Sequence, residues 1–552
     1  RSNMENYYKT ETWDLYLAKL QPHYKFYALK KPIFYQDKKY GGFEELSRFI
    51  LSRYSKNNGS VFLRKKTISR RKAIRLIGSS SVLLGSSSKV NSKNVSDVII
   101  IGAGFSGLNA GIILADEGLK VTVLEASSRV GGRAFTADHI YGKPELGASQ
   151  IGPYYARIRD MAHRLNVKLQ SGANINAPFT YAIGDTLIRR EDWEGHALNK
   201  TVGRERQIVP SAMQGFYVGT NNPLKNFDDW LDPEVSHLDV PLASWLIEKG
   251  ISEEALHLVN QGLVSPDAWN VSLLRLLQEE ARGKLMAESP VEIEGFDQLD
   301  RFQKYAYTSS RVEGGTSRLP EAMANFLGDK VKMNKIVSNM EIVKSGIEVE
   351  CLDGTSYEAD FAISAIPFGA LRRISMKPSI SGEQAAAVRH MPYANNTQVH
   401  IRLKGAPFWE QDGMDASLWT DGPITIVRQP IGYDGSRDRL MVICAGKKGE
   451  RIDQLSTEDR GRFVVREIEK IRPSTKGKLE VTGVHSWPQH PFIYGCGHSY
   501  GPGQVTRFAK EMIKPHGRLH FAGEHTRRLE IGMESAMESG ERAAYEILDR
   551  IG

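Results

Sequence analysis

Three cysteines in 552 residues are too few for a disulfide framework, and Cys351, Cys444 and Cys496 show none of the paired spacings that hold a metal. No apolar run reaches the roughly 18 residues that a membrane-spanning helix needs, so no transmembrane segment is expected. Histidines, serines and acids form no Ser/His/Asp set and no metal cluster in the pattern of the chain. The body also lacks basicity. Residues 1–90 carry 19 Lys+Arg against 6 Asp+Glu, whereas the rest carry 54 against 59, so the net charge of +8 belongs to the leader and the body is not expected to bind nucleic acid. What remains is ordinary for a globular protein: 41% hydrophobic and 25% charged, at a length that predicts two domains and an appendage.

Arg1-Ser2-Asn3 before Met4 reads as a cloning remnant. Residues 1–66 place apolar side chains at helical spacing around Trp13, Leu17 and Leu20 and again from Phe43 to Ile50, predicting a small helical appendage. Residues 67–88 are similar to a twin-arginine export signal, with Ser69-Arg70-Arg71 ahead of a weakly apolar, serine-rich stretch. Against it stand the long segment before the arginine pair and the missing small-x-small cleavage site; a basic helix and linker is the alternative. The signal implies a periplasmic protein, the alternative a cytoplasmic one.

Asp97 to Arg133 organises the body. Val98–Ile101 is a short β-branched run, and Gly102, Gly104 and Gly107 follow in the spacing G-x-G-x-x-G. Leu108 to Glu117 then turns helical, so a buried strand enters a tight turn that opens a helix. Its N-terminal N–H groups and dipole favour a pyrophosphate, and glycine keeps a Cβ out of the phosphate's way. A second strand, Lys120 to Leu124, ends in Glu125, where an acid accepts hydrogen bonds from an adenosine ribose. These are the requirements of a dinucleotide site.

Glu125-Ala126 continues through Arg129, Gly131, Gly132 and Arg133 as E-x-x-x-R-x-G-G-R, and here the chain resembles the flavin-containing amine oxidase family, which includes monoamine oxidases, L-amino acid oxidases and bacterial nicotine oxidoreductases. Glu145-Leu146-Gly147-Ala148, Val312-Glu313-Gly314-Gly315 and the closing stretch 517–548 extend the likeness in the family's order. The resemblance implies FAD and a Rossmann-like α/β domain joined to a mixed helical and sheet substrate domain. The expected layout is an appendage over 1–66, a linker over 67–96, FAD-binding parts at 97–165, 311–367 and 485–552, and substrate parts at 166–310 (helical) and 368–484 (sheet). It further implies that Val337 lies beside the adenine; in the closing stretch a strand ends at Gly523 and Glu524-His525-Thr526 make a turn. A helix from Met533 to Leu548 would then aim its N–H groups at the flavin pyrimidine.

The departures carry the functional reading. Two positions that hold aromatic rings in monoamine oxidases fall on Gly497 and Gly532, which removes a contact worth about 0.5–2 kcal/mol and leaves room for a bulky substrate or for a neighbour such as His498, Tyr494 or Leu529. The family's lysine near flavin N5 falls on Gln398, which holds a water but no charge. That weakens the reaction with O₂ and favours another acceptor, such as a periplasmic electron carrier. Cys496 sits at the offset where monoamine oxidases bind flavin covalently; a buried free thiol is the simpler reading of the residue, and a covalent link to the flavin the alternative. Gln150 stands near the point where L-amino acid oxidases place a carboxylate-binding arginine; Arg157 or an arginine of the helical part could substitute. Trp487, Gln398, Gln150 and His498 are expected to line or tune the flavin site.

The expected activity is FAD-dependent oxidation of a C–N bond of a bulky amine by hydride transfer to flavin N5, followed by hydrolysis of the imine, with a homodimer compatible with the sequence. An L-amino acid oxidase, a C–C desaturating flavoenzyme and a catalytically silent flavin-binding partner protein are the alternatives.

Overall fold

The computed structural model of the chain describes residues 94–171, 178–264, 267–287, 308–405 and 407–551. The appendage and the export-signal-like segment expected before residue 94 lie outside these residues.

Among the described residues an eight-stranded sheet is built around Asn94–Ile101. This strand pairs in parallel with Ser356–Ser364 on one side and with Val121–Leu124 on the other, with Ile99 opposite Ala362 and Thr122. Val331–Lys332 extends the parallel part, and Leu519–Phe521 joins the end of Ser356–Ser364, also in parallel. Strands Val337–Val343 and Gly346–Cys351 complete the sheet as an antiparallel meander, edged by Ser375–Lys377.

The central strand reads as a continuous apolar run because both of its faces are covered. Val98 and Ile100 pack with Leu108, Ile112 and Ile547 of the helices on one face. Ile99 and Ile101 belong to the core on the other face, which continues into Leu246, Leu273 and Leu277.

The helix Phe105–Asp116 lies between this sheet and the last helix, Gly532–Ile551. Their approach is close because small residues meet there. A Cβ on Gly540 would stand 2.2 Å from the Ser106 carbonyl oxygen, and Asn109 Nδ2 donates to Met537 O at 2.8 Å.

A second, seven-stranded sheet runs in the order Leu479–Ser486, Asn396–Leu403, Arg439–Ala445, Ile426–Arg428, Ser417–Thr420, Phe179–Ile183 and Thr186–Ile188. The amphipathic helix Thr457–Ile471 packs on it, started by Ser456, whose Oγ accepts from the Asp459 N–H at 3.1 Å.

The stretch 166–310 is not helical throughout. Residues 179–188 form a hairpin that joins the second sheet through a parallel pairing with Ser417–Thr420. Gly184 and Asp185 close it with φ of 53° and 66°, the two left-handed residues that a tight twisted hairpin demands. Beyond it, Leu242–Glu248, Glu253–Gly262 and Leu273–Ala287 are helical as the apolar spacing predicts. Among the described residues this is a mixed α/β architecture of two large sheets, a two-stranded pair of Leu169–Ser171 with Ser310–Val312, and helices, and the candidate site lies where segments of both large sheets converge.

Candidate active site

A cavity of 680 Å³ runs from the glycine turn to the second sheet. Each glycine of G-x-G-x-x-G is fixed by a different constraint. Gly102 has φ +101° and its Cβ would press on the Ile366 side chain at 2.8 Å; Gly107 allows the helix to cross the strand end, since a Cβ there would stand 2.0 Å from the Gly102 carbonyl oxygen. Gly104 is different. No protein atom lies within 4 Å of a Cβ placed on it, and it lines the cavity. The helix that Gly104 opens has no side-chain cap and no acid in its first turn, so its N–H groups remain for an anion.

Glu125 ends the second strand, buried, and accepts from the Ala103 N–H at 2.8 Å and from the Ser127 N–H and Oγ at 2.9 Å. These bonds fix a carboxylate whose remaining lone pairs suit ribose hydroxyls. Arg129 braces the following loop by donating to Gly132 O at 2.7 Å, with its guanidinium 3.8 Å over the Phe135 ring. Burial lowers its pKa to about 10, against the pull of Glu125.

Arg133 bridges the ends of the chain, donating to Cys496 O at 2.5 Å and to Glu524 Oε2 at 3.2 Å. Burial acts to raise the Glu524 pKa, but His498 and Arg133 outweigh it and hold the carboxyl well below the usual range. Burial lowers that of His498 in spite of Glu524. A neutral imidazole fits its 3% exposure, so the ionised carboxylate rests on Arg133 and on the Nδ1–H of His498.

Opposite these groups, Gln398 enters from the second sheet. Its Nε2 donates to Leu146 O at 3.0 Å and its Oε1 faces His400 Nε2 at 3.2 Å, so the amide orientation is fixed from both ends. Trp487 Nε1 donates to the same Leu146 carbonyl at 2.7 Å. Burial lowers the His400 pKa to about 3, keeping a neutral ring next to Gln398. Gly532, Met533 and Ala536 bring the first turn of the last helix to the cavity wall.

Gly102, Gly104, Glu125, Ala126, Arg129, Gly132, Arg133, Val337, Gln398, Tyr494, Cys496, Gly497, Gly523, Glu524, Gly532 and Met533 thus line one cavity, although they are spread over more than four hundred residues of sequence.

Five expected site residues do not line it. Gly107 lies beneath the turn, and Gln150 is half-buried outside the lining. Trp487 is fully buried behind Gln398, edge-on to His485 at 4.4 Å. His498 stands behind Glu524, and Leu529 is held away by its N–H to Glu538 and its carbonyl to Gln278.

None of His498, Tyr494 and Leu529 fills the space at Gly532. There the nearest atom to a Cβ is the hydroxyl of Tyr155, at 2.9 Å, while the space at Gly497 is open to 4 Å. Tyr494, held at φ +61° beneath the Arg373 guanidinium at 4.0 Å, lines the cavity elsewhere. Tyr155 sits in a Gly-Pro-Tyr-Tyr run whose sequence gives no sign of this role.

The site therefore offers a phosphate cradle, a ribose acid and a helix N-terminus at the far end. These fit FAD. Arg157 is excluded as a substrate arginine: Glu534 and Glu541 already hold it.

Residues 105–548 match the family model described as flavin containing amine oxidoreductase. The flavin-containing amine oxidase of Danio rerio is 27% identical over 478 residues, covering 83% of this chain and 87% of that protein. Amine oxidase B of Homo sapiens is 26% identical over 481 residues, with 83% and 87% covered. Among solved structures, a putrescine oxidase triple mutant (24% identity) and the cyclohexylamine oxidase of Brevibacterium oxydans IH-35A (22%) each align with a TM-score of 0.66 over 83% of this chain and 99% of theirs, a likeness of fold.

Proposed function

The chain belongs to the flavin-containing amine oxidoreductase family, and on that premise we propose that it oxidises the C–N bond of a bulky amine. FAD, when bound, supplies the acceptor for a hydride from the carbon next to nitrogen. The carbon loses two electrons and the nitrogen one proton, leaving an imine that water hydrolyses to a carbonyl compound and the released amine.

One observation carries the bulky substrate: glycine at both Gly497 and Gly532, with open space at the first and only the Tyr155 hydroxyl at the second. The chain's residues supply position rather than acid–base strength. Gly102, Gly104 and the helix they open would hold the pyrophosphate, Glu125 the ribose, and the first turn at Gly532–Met533 the negative end of the ring. Gln398, locked between Leu146 O and His400, would orient one water or one N–H over the reacting face. Buried Trp487 and its neighbours keep bulk water away.

Because Gln398 brings no charge, the reading favours an electron carrier over O₂ as acceptor. With an export signal at Ser69-Arg70-Arg71, the folded holoenzyme would meet that carrier in the periplasm.

The test is a series of amines of increasing ring size, with wild type compared against Gly497→Tyr. The proposal expects the wild type to turn over the larger members at least as well as the smaller, and the variant to lose only the larger. An unchanged profile in the variant contradicts it.

A further inference from the structure

Five aromatic and imidazole rings pack in sequence from the wall of the cofactor cavity to the protein surface. Trp487 stands directly behind that wall. A Cβ on the cavity residue Gly147 would meet its Cζ2 at 3.2 Å, and its indole N–H bonds the carbonyl of Leu146, another cavity residue. From Trp487 the rings lead outward: His485 lies edge-on at 4.4 Å between centroids, Phe135 at 6.2 Å from His485, and His139 at 6.4 Å from Phe135. His490 starts a second branch. It lines the cavity itself and lies 5.7 Å from Trp487 and 6.4 Å from His485.

Burial falls along the series. Trp487 is fully buried, His485, Phe135 and His490 are half-buried, and His139 is exposed. Packing alone does not ask for imidazoles here, because leucine or phenylalanine would fill the layer without stranding a polar atom. His485 Nε2 is buried with no hydrogen-bond partner, and burial pushes the pKa of His485 and of His490 down to about 4, so both rings are neutral at pH 7. What the rings do provide is a continuous run of π-systems. Electron tunnelling weakens steeply with the empty distance to be crossed, and packed rings shorten it.

The charge along this run has one sign. The titratable groups that face His485 are His490, Arg129 and His139, and Arg129 also faces His490; no carboxylate is among them. The Arg129 guanidinium stacks 3.8 Å over Phe135. At the surface end, two residues beyond His139, Tyr141 is exposed beneath the Arg402 guanidinium at 4.4 Å, and Arg402 has no ion pair among the described residues. Three acids of this rim are already engaged: Asp138 by Arg318 and Lys143, Asp438 by Arg439, and Glu480 by Lys404. A positive rim of this kind steers an oppositely charged partner toward it.

We propose that Trp487, His485, Phe135, His139 and His490 form an electron exit, and that the surface around His139 and Arg402 docks a negatively charged one-electron carrier. It rests on the reading of a carrier as acceptor and gives that acceptor a face. The two electrons of the transferred hydride pass one at a time to two carriers, each reduced by one electron, and its proton goes to water.

The FAD-loaded protein is photoreduced without any amine and mixed anaerobically with ferricyanide, a trianionic one-electron acceptor, or with tris(phenanthroline)cobalt(III), a trication. Flavin reoxidation by ferricyanide should slow as salt is raised, and reoxidation by the cation should not. His139→Glu and Arg402→Glu, both at exposed positions, should each slow ferricyanide by at least about threefold without slowing the cation. Phe135→Leu should slow both acceptors, and an unchanged rate overturns the ring path. A separate readout needs no flavin chemistry: hexacyanochromate(III), a redox-inert paramagnetic trianion, should broaden the NMR signals of His139 and His485 more than that of exposed His237.

Should Phe135→Leu fail to retain FAD, the two exposed variants and the NMR signals decide. Equal broadening of the three histidines, or ferricyanide rates that neither charge variant moves, overturns the face while a carrier as acceptor stands. Wild-type flavin that O₂ reoxidises faster than ferricyanide at equal concentration overturns the carrier reading and the exit with it, and leaves amine oxidation intact.

Discussion

His498 Nδ1 lies 2.7 Å from Glu524 Oε1, while Arg133 reaches the other carboxylate oxygen at 3.2 Å. The pair joins the segment after Cys496 to the turn before the last helix. It is one of several places where this chain keeps a histidine neutral by burying it.

That burial has a sign that can be tested. His400, His498 and His525 are 4%, 3% and 1% exposed, and burial lowers the pKa of each below the ordinary 6.5. Below pH 6.5 the unfolded chain therefore binds more protons than the native one. Stability from these groups is complete above pH 6.5 and is lost as pH falls, by up to about 1.4 kcal/mol per pH unit for each histidine until its folded pKa is reached. Glu524, with its depressed pKa, adds a further loss below its ordinary 4.5. Thermal melts of the holoprotein should show Tm level between pH 7 and 8 and falling by several degrees from pH 6.5 to 5. A level Tm across pH 5–7 contradicts the assignment.

The fingerprint glycines should separate by phenotype. Gly104→Ala meets no protein atom within 4 Å, so the apoprotein should melt unchanged while FAD binds at least about tenfold more weakly, because the methyl enters the phosphate cradle. Gly107→Ala places a methyl 2.0 Å from a backbone oxygen and should lower both apoprotein Tm and cofactor content. FAD titration and apoprotein melts check both; equal behaviour of the two variants contradicts the division of roles.

Rebuilding the ring positions should be asymmetric. Gly532 has φ +60°, which costs an L-residue about 1–2 kcal/mol, and a Cβ there meets the Tyr155 hydroxyl. Gly497 has an ordinary φ and open space. Gly532→Tyr should lower Tm by a few degrees, whereas Gly497→Tyr should leave Tm in place and raise KM for large amines. Calorimetry and steady-state kinetics on the two variants read this directly.

Gln398→Lys replaces a neutral amide by a cation in a buried position that faces the cavity. The reduced flavin of the variant should reoxidise in air several-fold faster than that of wild type, measured by stopped-flow mixing with oxygenated buffer. An unchanged rate would count against the charge at this position as the reason for slow reaction with O₂.

The strand, turn and helix around Gly102–Gly107 were legible because their rules are local: β-branched residues, positive-φ glycine and helical spacing all lie within about twenty residues. The return segments were legible through motif order. The hairpin at Phe179–Ile183 and Thr186–Ile188 was not, since its partner strand lies some 230 residues away and only the Gly184-Asp185 turn marks it. Tyr155 at Gly532 and the fully buried Gln278 and Arg282 were hidden for the same reason. Each is polar by identity and buried only through a distant loop, and spacing along one helix does not show what covers it. Trp487 is expected from the sequence to line or tune the flavin site; it does not line the cavity, and its indole N–H donates to the Leu146 carbonyl that Gln398 also meets.

The most direct test of the central claim is anaerobic titration of the FAD-loaded protein with a panel of bulky amines, with the oxidised-flavin absorbance and the carbonyl product measured together. The account predicts that at least one bulky amine bleaches the flavin and yields one carbonyl compound per flavin reduced. A flavin that no amine bleaches, in protein that carries its full complement of FAD, would contradict it.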